Sequence, residues 1–482
     1  MTPQTAPDAP APIKRRRLES IFAAAGLPKQ AYTFDQDLIE GRTVDQRGRY
    51  FGRADCLILP RDAQELRAAL KALNDNGVGV TPQGGNTGMC GGATPFGGAL
   101  LGLGRMDRLV EFDEQGMTVT VEAGMTLQRL QEICAERGYF FPLRLGSQGS
   151  CTIGGNVATN AGGLNALRYG VTRALTVGVE AIAPTGLTVG KLDPLAKNTA
   201  GYDVNQLLIG SEGTLAVVSK AALRIFPAPS AFRALWFDLP DVEAAVALLG
   251  ALRRRFMDNL TAFELMGRLA KELAAGFKPP AFSLDPGAPW SVLAELTFGP
   301  GQEPATDGQL ADAAAEAGFG DALLAQDESQ RAALWALREA IPLGEKKWGF
   351  GIKHDLSAPI GRIAQFVERS LADLASDFPT AQVSLFGHLG DGSLHYNVYF
   401  PDKLDRSVYE LEERVNRAVT RSLLQMGGSI AAEHGLGIAK RGQLALARRA
   451  HEIELMRAVK TALDPRGVMN PGKVFPPPEE TR

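Results

Sequence analysis

Residues 149–163 read Gly-Ser-Cys-Thr-Ile-Gly-Gly-Asn-Val-Ala-Thr-Asn-Ala-Gly-Gly, and no side chain in the run is larger than isoleucine. Such a stretch gives a core little to bury, and it is too uniformly small for an ordinary helix surface. It does carry hydrogen-bonding groups, at Ser150, Asn156, Thr159 and Asn160. Glycine has no Cβ to hold a ligand off, so a run like this lets backbone approach something closely. Two further segments share the character, Pro82-Gln-Gly-Gly-Asn-Thr-Gly-Met89 and Gly210-Ser-Glu-Gly-Thr214. The first follows a strand pattern, Val78-Gly-Val-Thr, and offers successive N–H groups as an anion nest. It is not a Walker A loop, since no Gly-Lys-Ser/Thr follows. No Gly-x-Gly-x-x-Gly follows a strand either, so a Rossmann nicotinamide site is unsupported. One such cluster could equally be tight turns. Three together point to an extended cofactor, with a pyrophosphate among its parts, lying along the backbone.

The chain has 482 residues, more than one ordinary core accommodates, so two or more domains are expected. A net charge of −3 gives no electrostatic case for nucleic acid. No apolar run approaches the roughly 18 residues of a membrane span. Cys56, Cys90, Cys134 and Cys151 are widely spaced with no Cys-x-x-Cys, which fits unpaired thiols in a cytoplasmic protein. The basic run Lys14–Arg17 beside an Ala/Pro-rich tail reads as a solvated, disordered N-terminus rather than a transit segment.

Along the chain, residues 1–45 read as a tail and lead-in helix. Cys56-Leu-Ile-Leu reads as a buried strand, and Asp62 as the cap of a helix with Leu66, Leu70 and Leu73 on one face. Strand patterns recur at Val119–Glu122, Val177–Ala183 and Leu215–Val218. Pro227 and Pro229 mark a change. From about residue 232 the pattern is strand, helix (Asp241–Phe256), strand (Val292–Phe298), helix (Gln309–Ala317), an α+β arrangement on an antiparallel sheet. Helical pattern returns at Asp405–Met426. Leu463–Gly472 reads as too polar and turn-rich for core.

All five histidines lie in the second half: His354, His388, His395, His434 and His451. His388 and His395 flank a Gly-rich turn between two strand patterns, Val383-Ser-Leu-Phe and Tyr396-Asn-Val-Tyr-Phe. Pairing Leu389 with Leu394 would set the two imidazoles directly opposite, with Cβ atoms about 4.5–5.5 Å apart. Glu433 would complete a His, His, Glu set with an open position, as in catalytic divalent sites. The set suits Zn²⁺, with Mn²⁺ or Fe²⁺ as alternatives. Asp391 reads as a turn former, and His451 as surface. Asn397 shares a strand face with His395.

The segments Pro82–Met89, Gly149–Tyr169, Asn198–Gly213, Gly387–Asn397 and Glu433–Gly437 resemble the D-2-hydroxyacid dehydrogenase branch of the vanillyl-alcohol-oxidase/p-cresol-methylhydroxylase (PCMH) superfamily. Within that branch the similarity is to D-2-hydroxyglutarate dehydrogenases, over nearly everything after residue 45. It implies an α+β chain with a two-subdomain PCMH-type FAD-binding domain over 46–228. A substrate-binding cap with the metal site would span 229–455, and a C-terminal segment, 456–482, would return to the flavin. The resemblance implies non-covalent FAD, which the absence of histidine from the first domain fits.

In the same terms, Pro82, Gln83, Gly84, Gly85, Asn86, Thr87, Gly88 and Met89 would wrap the pyrophosphate. Ser150, Gly154, Gly155, Asn156, Thr159, Asn160 and Gly163 would line the cofactor further along, Ile209 and Gly213 would meet it near the adenine, and Asn470 would return to the flavin. Oxidising an alcohol beside a carboxylate needs a base for the hydroxyl proton, and a neutral imidazole serves near pH 7. His434 would be that base, also touching substrate, with His388, His395 and Glu433 as the expected metal ligands.

Arg338 and Lys353 look ordinary in sequence, and the resemblance makes them substrate ligands beside Asn397. Pro342 stands where the hydroxyglutarate enzymes have Thr and removes a donor to the distal carboxylate. Lys346 or Lys347 is a candidate to compensate. The favoured substrate is D-2-hydroxyglutarate, with a D-lactate or glycolate dehydrogenase as alternative. A non-catalytic flavin carrier or redox interaction module, and a bare metal-binding scaffold, are readings of other classes. An electron-transfer flavoprotein or quinone is the implied acceptor, and oligomeric state stays open, a homodimer included.

Overall fold

The computed structural model describes residues 11–476 apart from 196, 284 and 286. What was expected of residues 1–10 and 477–482 lies outside the described residues. The chain divides into two compact units, one made of residues up to 163, 171–226 and from 433 onward, the other of 164–170 and 227–432.

The first unit holds two sheets. In one, Cys56–Ile58 and Val80–Gln83 both run parallel to Ala99–Gly102, while Tyr32–Thr33 adds antiparallel to Cys56–Ile58. Cys56, Leu57 and Ile58 are all buried, as strands covered on both faces require. Asp62 accepts from the Gln64 and Glu65 N–H groups and starts the helix Ala63–Asp75, which buries Leu66, Leu70 and Leu73. The other sheet is antiparallel, in the order Leu109–Asp113, Thr118–Glu122, Val217–Arg224, Thr176–Ile182, Thr188–Val189.

Three expectations change here. Lys14–Arg17 runs into a helix, Arg15–Ala24, anchored by buried Leu18, Ile21 and Phe22. Ile153–Thr159, inside the small-residue run, is an α-helix whose N-terminus is capped by Thr152 Oγ1 on the Gly155 N–H. Its smallness serves close packing, since a Cβ on Gly154 would lie 2.5 Å from the Cβ of Ala123. The C-terminal turn is core after all: Val468, Met469 and Asn470 are buried. Val80 donates to the Val468 carbonyl and Asn470 donates to that of Val80, both at 2.8 Å, so the turn covers the edge of the parallel sheet.

The second unit is built on a seven-stranded antiparallel sheet. Its order is Leu323–Leu324, Ala231–Leu239, Trp290–Phe298, Leu260–Gly267, Gln382–Gly387, Ser393–Tyr399, Ile352–Ser357. The helices include Val242–Phe256 and Asp307–Glu316, close to the expected spans, and Glu328–Trp348, Ile360–Asp377 and Glu412–Gln425. The α+β class is observed in both units.

The unit boundaries differ from the expected domains. Residues 433–455, expected with the cap, cluster with the first unit, where Leu436 and Gly437 donate to Glu212 and Ile438 donates to the Cys90 carbonyl. Residues 164–170, expected with the first domain, join the second, where Arg168 donates to the Thr297 carbonyl at 2.9 Å.

Candidate active site

In the first unit the three glycine segments meet one another. A Cβ on Gly84 would collide with Thr152 Oγ1, and one on Gly85 with the Ser150 carbonyl. Gly213, at φ +69°, would bring a Cβ to 3.1 Å from Pro82 Cγ. The Gly210 and Glu212 N–H groups donate to the Val157 and Ala158 carbonyls. Gly163 is closed off by the Arg144 carbonyl, whereas a Cβ on Gly88 would meet nothing within 4 Å. Gly155 and Gly154 sit in the capped helix. Asn86 takes φ 53° and donates from Nδ2 to the Val44 carbonyl at 2.8 Å. Thr87 and Met89 are half-buried beside it, and Ser150 is exposed.

Several polar groups expected on the cofactor have local partners. Thr159 Oγ1 donates to the Gly155 carbonyl of its own helix. Asn160, left-handed at φ 50°, accepts the Arg173 N–H at 2.8 Å. Asn156 is buried with Nδ2 toward Cys151 Sγ. The side chain of Ile209 is core, 2% exposed, which leaves its backbone to meet a ligand.

Other groups do ask for a ligand. Gln83 donates from Nε2 to the Arg42 and Ala93 carbonyls, and Asn470 from Nδ2 to those of Gly92 and Glu212. Yet Gln83 Oε1 and Asn470 Oδ1 are buried with no hydrogen-bond partner. A buried acceptor left unpaired is costly. Acceptors on the anchored amides beside an open glycine loop fit a cofactor with both phosphate and hydrogen-bond donors.

Glu433 and His434 belong to this unit and lie in a bend. Glu433 borders the small-residue run: a Cβ on Gly162 would stand 3.0 Å from Glu433 Oε1. Next to it, Glu212 takes the Leu436 and Gly437 N–H groups at 2.8 Å each. Glu212 keeps some exposure, but desolvation of its carboxyl raises its pKa against those N–H groups, Lys440 and Lys473. Lys473 is buried over the Phe96 ring and donates to the Thr94 carbonyl at 2.7 Å. Burial pushes its ammonium down to about 7, Arg441 pushes the same way and Glu212 opposes. Because the unit includes His434 and His451, the argument from missing histidines covers only the residues before 228.

In the second unit, His395 pairs with Phe386 rather than with His388. The strand ends at Gly387, φ +151°, where a Cβ would press the Ser393 carbonyl at 2.8 Å, and His388 instead accepts the Ser393 N–H on its carbonyl. Leu389, expected in the pair, is fully buried. The two imidazoles still converge, with ring centroids 5.6 Å apart at 78°. Asp391 accepts the Ser393 N–H at 3.0 Å, the local role of a turn residue.

Two buried carboxylates that sequence reasoning missed organise this unit. Glu264, fully buried, holds His388 Nδ1 at 2.7 Å and Arg338 Nε at 2.8 Å. Desolvation would raise its pKa, but His388 and Arg338 outweigh that and hold it down at about 2. Bonding at Nδ1 orients the ring, and a carboxylate in that place is the usual outer partner of a metal-binding histidine. Arg338 also lies over the Phe386 ring at 4.8 Å. Glu345, equally buried, accepts Lys353 Nζ at 2.7 Å and Asn397 Nδ2 at 2.9 and 3.0 Å. Lys346, Lys347 and Pro342 are exposed. Both signals were in the sequence: Glu264 is the one charge in the strand Leu260–Gly267, and Glu345 lies on the helix face of Arg338. His354 is structural, bonded to the Tyr396 carbonyl and to Asn416 Oδ1.

The FAD binding domain family matches residues 54–190, and the family of FAD linked oxidases, C-terminal domain, matches 228–474. D-2-hydroxyglutarate dehydrogenase of Xanthomonas citri pv. viticola is 35% identical over 87% of this chain and 89% of its own. D-2-hydroxyglutarate dehydrogenase of Stutzerimonas stutzeri is 34% identical over 92% and 95%. Substrate-bound p-cresol methylhydroxylase superposes with a TM-score of 0.74 at 13% identity, over 96% of this chain and 97% of that one, and shares the fold. The chain belongs to the D-2-hydroxyglutarate dehydrogenase family of FAD-linked oxidases, on the fold of the p-cresol methylhydroxylase superfamily.

Proposed function

We propose that the protein oxidises a D-2-hydroxyacid to the 2-oxoacid, with D-2-hydroxyglutarate the substrate its relatives suggest. The observation that carries this reading is Glu264, one buried carboxylate joined to both Arg338 and His388. It ties a guanidinium suited to clamp a carboxylate to an imidazole suited to hold a metal next to the hydroxyl. The loops of Pro82–Met89, Gly149–Gly163 and Ile209–Gly213, with Asn470, would hold FAD, which would supply the acceptor for the α-hydrogen as hydride. A divalent ion, Zn²⁺ first, on His388, His395 and Glu433 would supply Lewis acidity. Arg338 orients the substrate carboxylate through its Nη groups, Lys353 and Asn397 face the remainder of the substrate, and His434 takes the hydroxyl proton.

A second reading, D-lactate or glycolate oxidation, is favoured by one observation: Lys353 and Asn397 are both engaged by Glu345, and Pro342 adds no donor. Electron-transfer flavoprotein or quinone as acceptor, and a cytoplasmic location for a protein whose four cysteines form no disulfide, belong to the same proposal. No helix among the described residues is long and apolar enough to cross a membrane. The test is anaerobic mixing of the yellow, metal-analysed protein with a stereodefined panel. Bleaching by a D- but not an L-2-hydroxyacid is expected. Flavin that no hydroxyacid bleaches would leave a flavin carrier, and a colourless protein a metal scaffold.

A further inference from the structure

Arg338 and Glu345 stand two turns apart on one helix, Glu328–Trp348, and both are buried. Lys353 and Asn397 lie directly opposite each other on neighbouring strands, so their side chains share a face. Glu345 reaches both of them. The two groups proposed above to face the remainder of the substrate therefore already hold an internal carboxylate.

The charges close the argument. Arg338 is matched by Glu264, and Lys353 by Glu345. Glu264 is shared between Arg338 and His388, whereas Glu345 already neutralises Lys353, so a distal carboxylate arriving at Lys353 finds that charge matched. Pro342, on the turn between Arg338 and Glu345, has neither hydroxyl nor N–H to offer. The lysines that could have compensated, Lys346 and Lys347, are exposed. A distal carboxylate at Lys353 would have to share it with Glu345, and like charges in a desolvated site are strongly unfavourable.

We propose that Glu345 is a specificity-determining residue that bars a distal carboxylate from Lys353 and Asn397 and selects 2-hydroxyacids with uncharged side chains. The proposal rests on the reading of this protein as a D-2-hydroxyacid dehydrogenase and, within it, favours the second reading, D-lactate or glycolate, over the D-2-hydroxyglutarate its relatives suggest. It works by a built-in repulsion rather than by an added contact, a common route to selectivity.

The Glu345→Gln substitution tests it, because glutamine keeps the volume and can still bond Lys353 and Asn397 while losing the charge. In flavin-loaded enzyme, the ratio of kcat/KM for D-2-hydroxyglutarate to that for D-lactate should rise at least about tenfold, chiefly through the KM of the dicarboxylate. A ratio within about twofold of wild type, in a variant with wild-type flavin content and melting temperature, overturns it. Should the variant not fold, the wild-type enzyme decides: pyruvate should inhibit more tightly than 2-oxoglutarate, and the reverse order sinks the proposal. Flavin that no D-2-hydroxyacid bleaches in the wild type is a separate outcome. It defeats the reaction reading, and the proposal with it.

Discussion

Replacing Glu264 by glutamine keeps the volume of the site and removes the charge that Arg338 and His388 share. Turnover is expected to fall about 10–100-fold with a parallel loss of bound metal, as outer partners of ligating histidines usually show. Metal analysis beside kcat/KM checks it; full metal content with unchanged kcat/KM would count against the role. Alanine at the same position strands a buried guanidinium and should cost about 3–5 kcal/mol in denaturant unfolding. Lys473 gives the pH counterpart. Burial pushes its ammonium down to about 7 in the folded protein, from the 10.5 of a solvated lysine. The unfolded chain therefore binds more protons between those values, and stability should rise with pH from about 7 toward 10.5, levelling off below 7. In Lys473→Met that slope should be smaller, which melting curves across pH 7–10 would reveal. Neither residue was singled out in the sequence, because a buried charge looks the same there as a solvated one. Only its neighbours distinguish them.

At the scale of the element, the glycine loops separate backbone packing from cofactor contact. Gly85→Ala would drive a Cβ into the Ser150 carbonyl and should destabilise the protein whether or not FAD is bound. Gly88→Ala meets open space, so its melting temperature without flavin should be close to wild type while FAD affinity drops. Equal flavin retention by Gly88→Ala and wild type would move the cofactor away from that loop. Sequence pattern located these loops, since small residues in series have few other uses. It misjudged their conformation: Ile153–Thr159 is helical because Thr152 caps it and Ala123 demands a residue without a side chain at Gly154. The histidine hairpin shows the same division. Its two strands were legible from alternation, but the register was not, because Gly387 and the buried Leu389 shift the turn.

For the whole molecule, the discontinuity of the first unit has a practical consequence. A fragment ending at residue 228 contains every glycine loop but lacks Val468–Asn470, which pairs with Val80, and the Leu436–Gly437 donors to Glu212. Such a fragment should purify without flavin and melt with little cooperativity; a yellow, cooperatively folding fragment would show that the C-terminal return is dispensable. The sequence by itself determined the α+β class, the small-residue segments that meet one another in the first unit, and the family of FAD-linked oxidases. Those are local signals, carried by composition and spacing over a few turns. Tertiary structure decided that residues after 433 complete the first unit, that Glu264 joins Arg338 to His388, and that Glu345 neutralises Lys353. The first two depend on groups far apart in sequence and the third on a helix turning back to a strand within eight residues. The two charge pairings form in a water-poor interior, where a charge must be paired and the identity of its partner sets the chemistry.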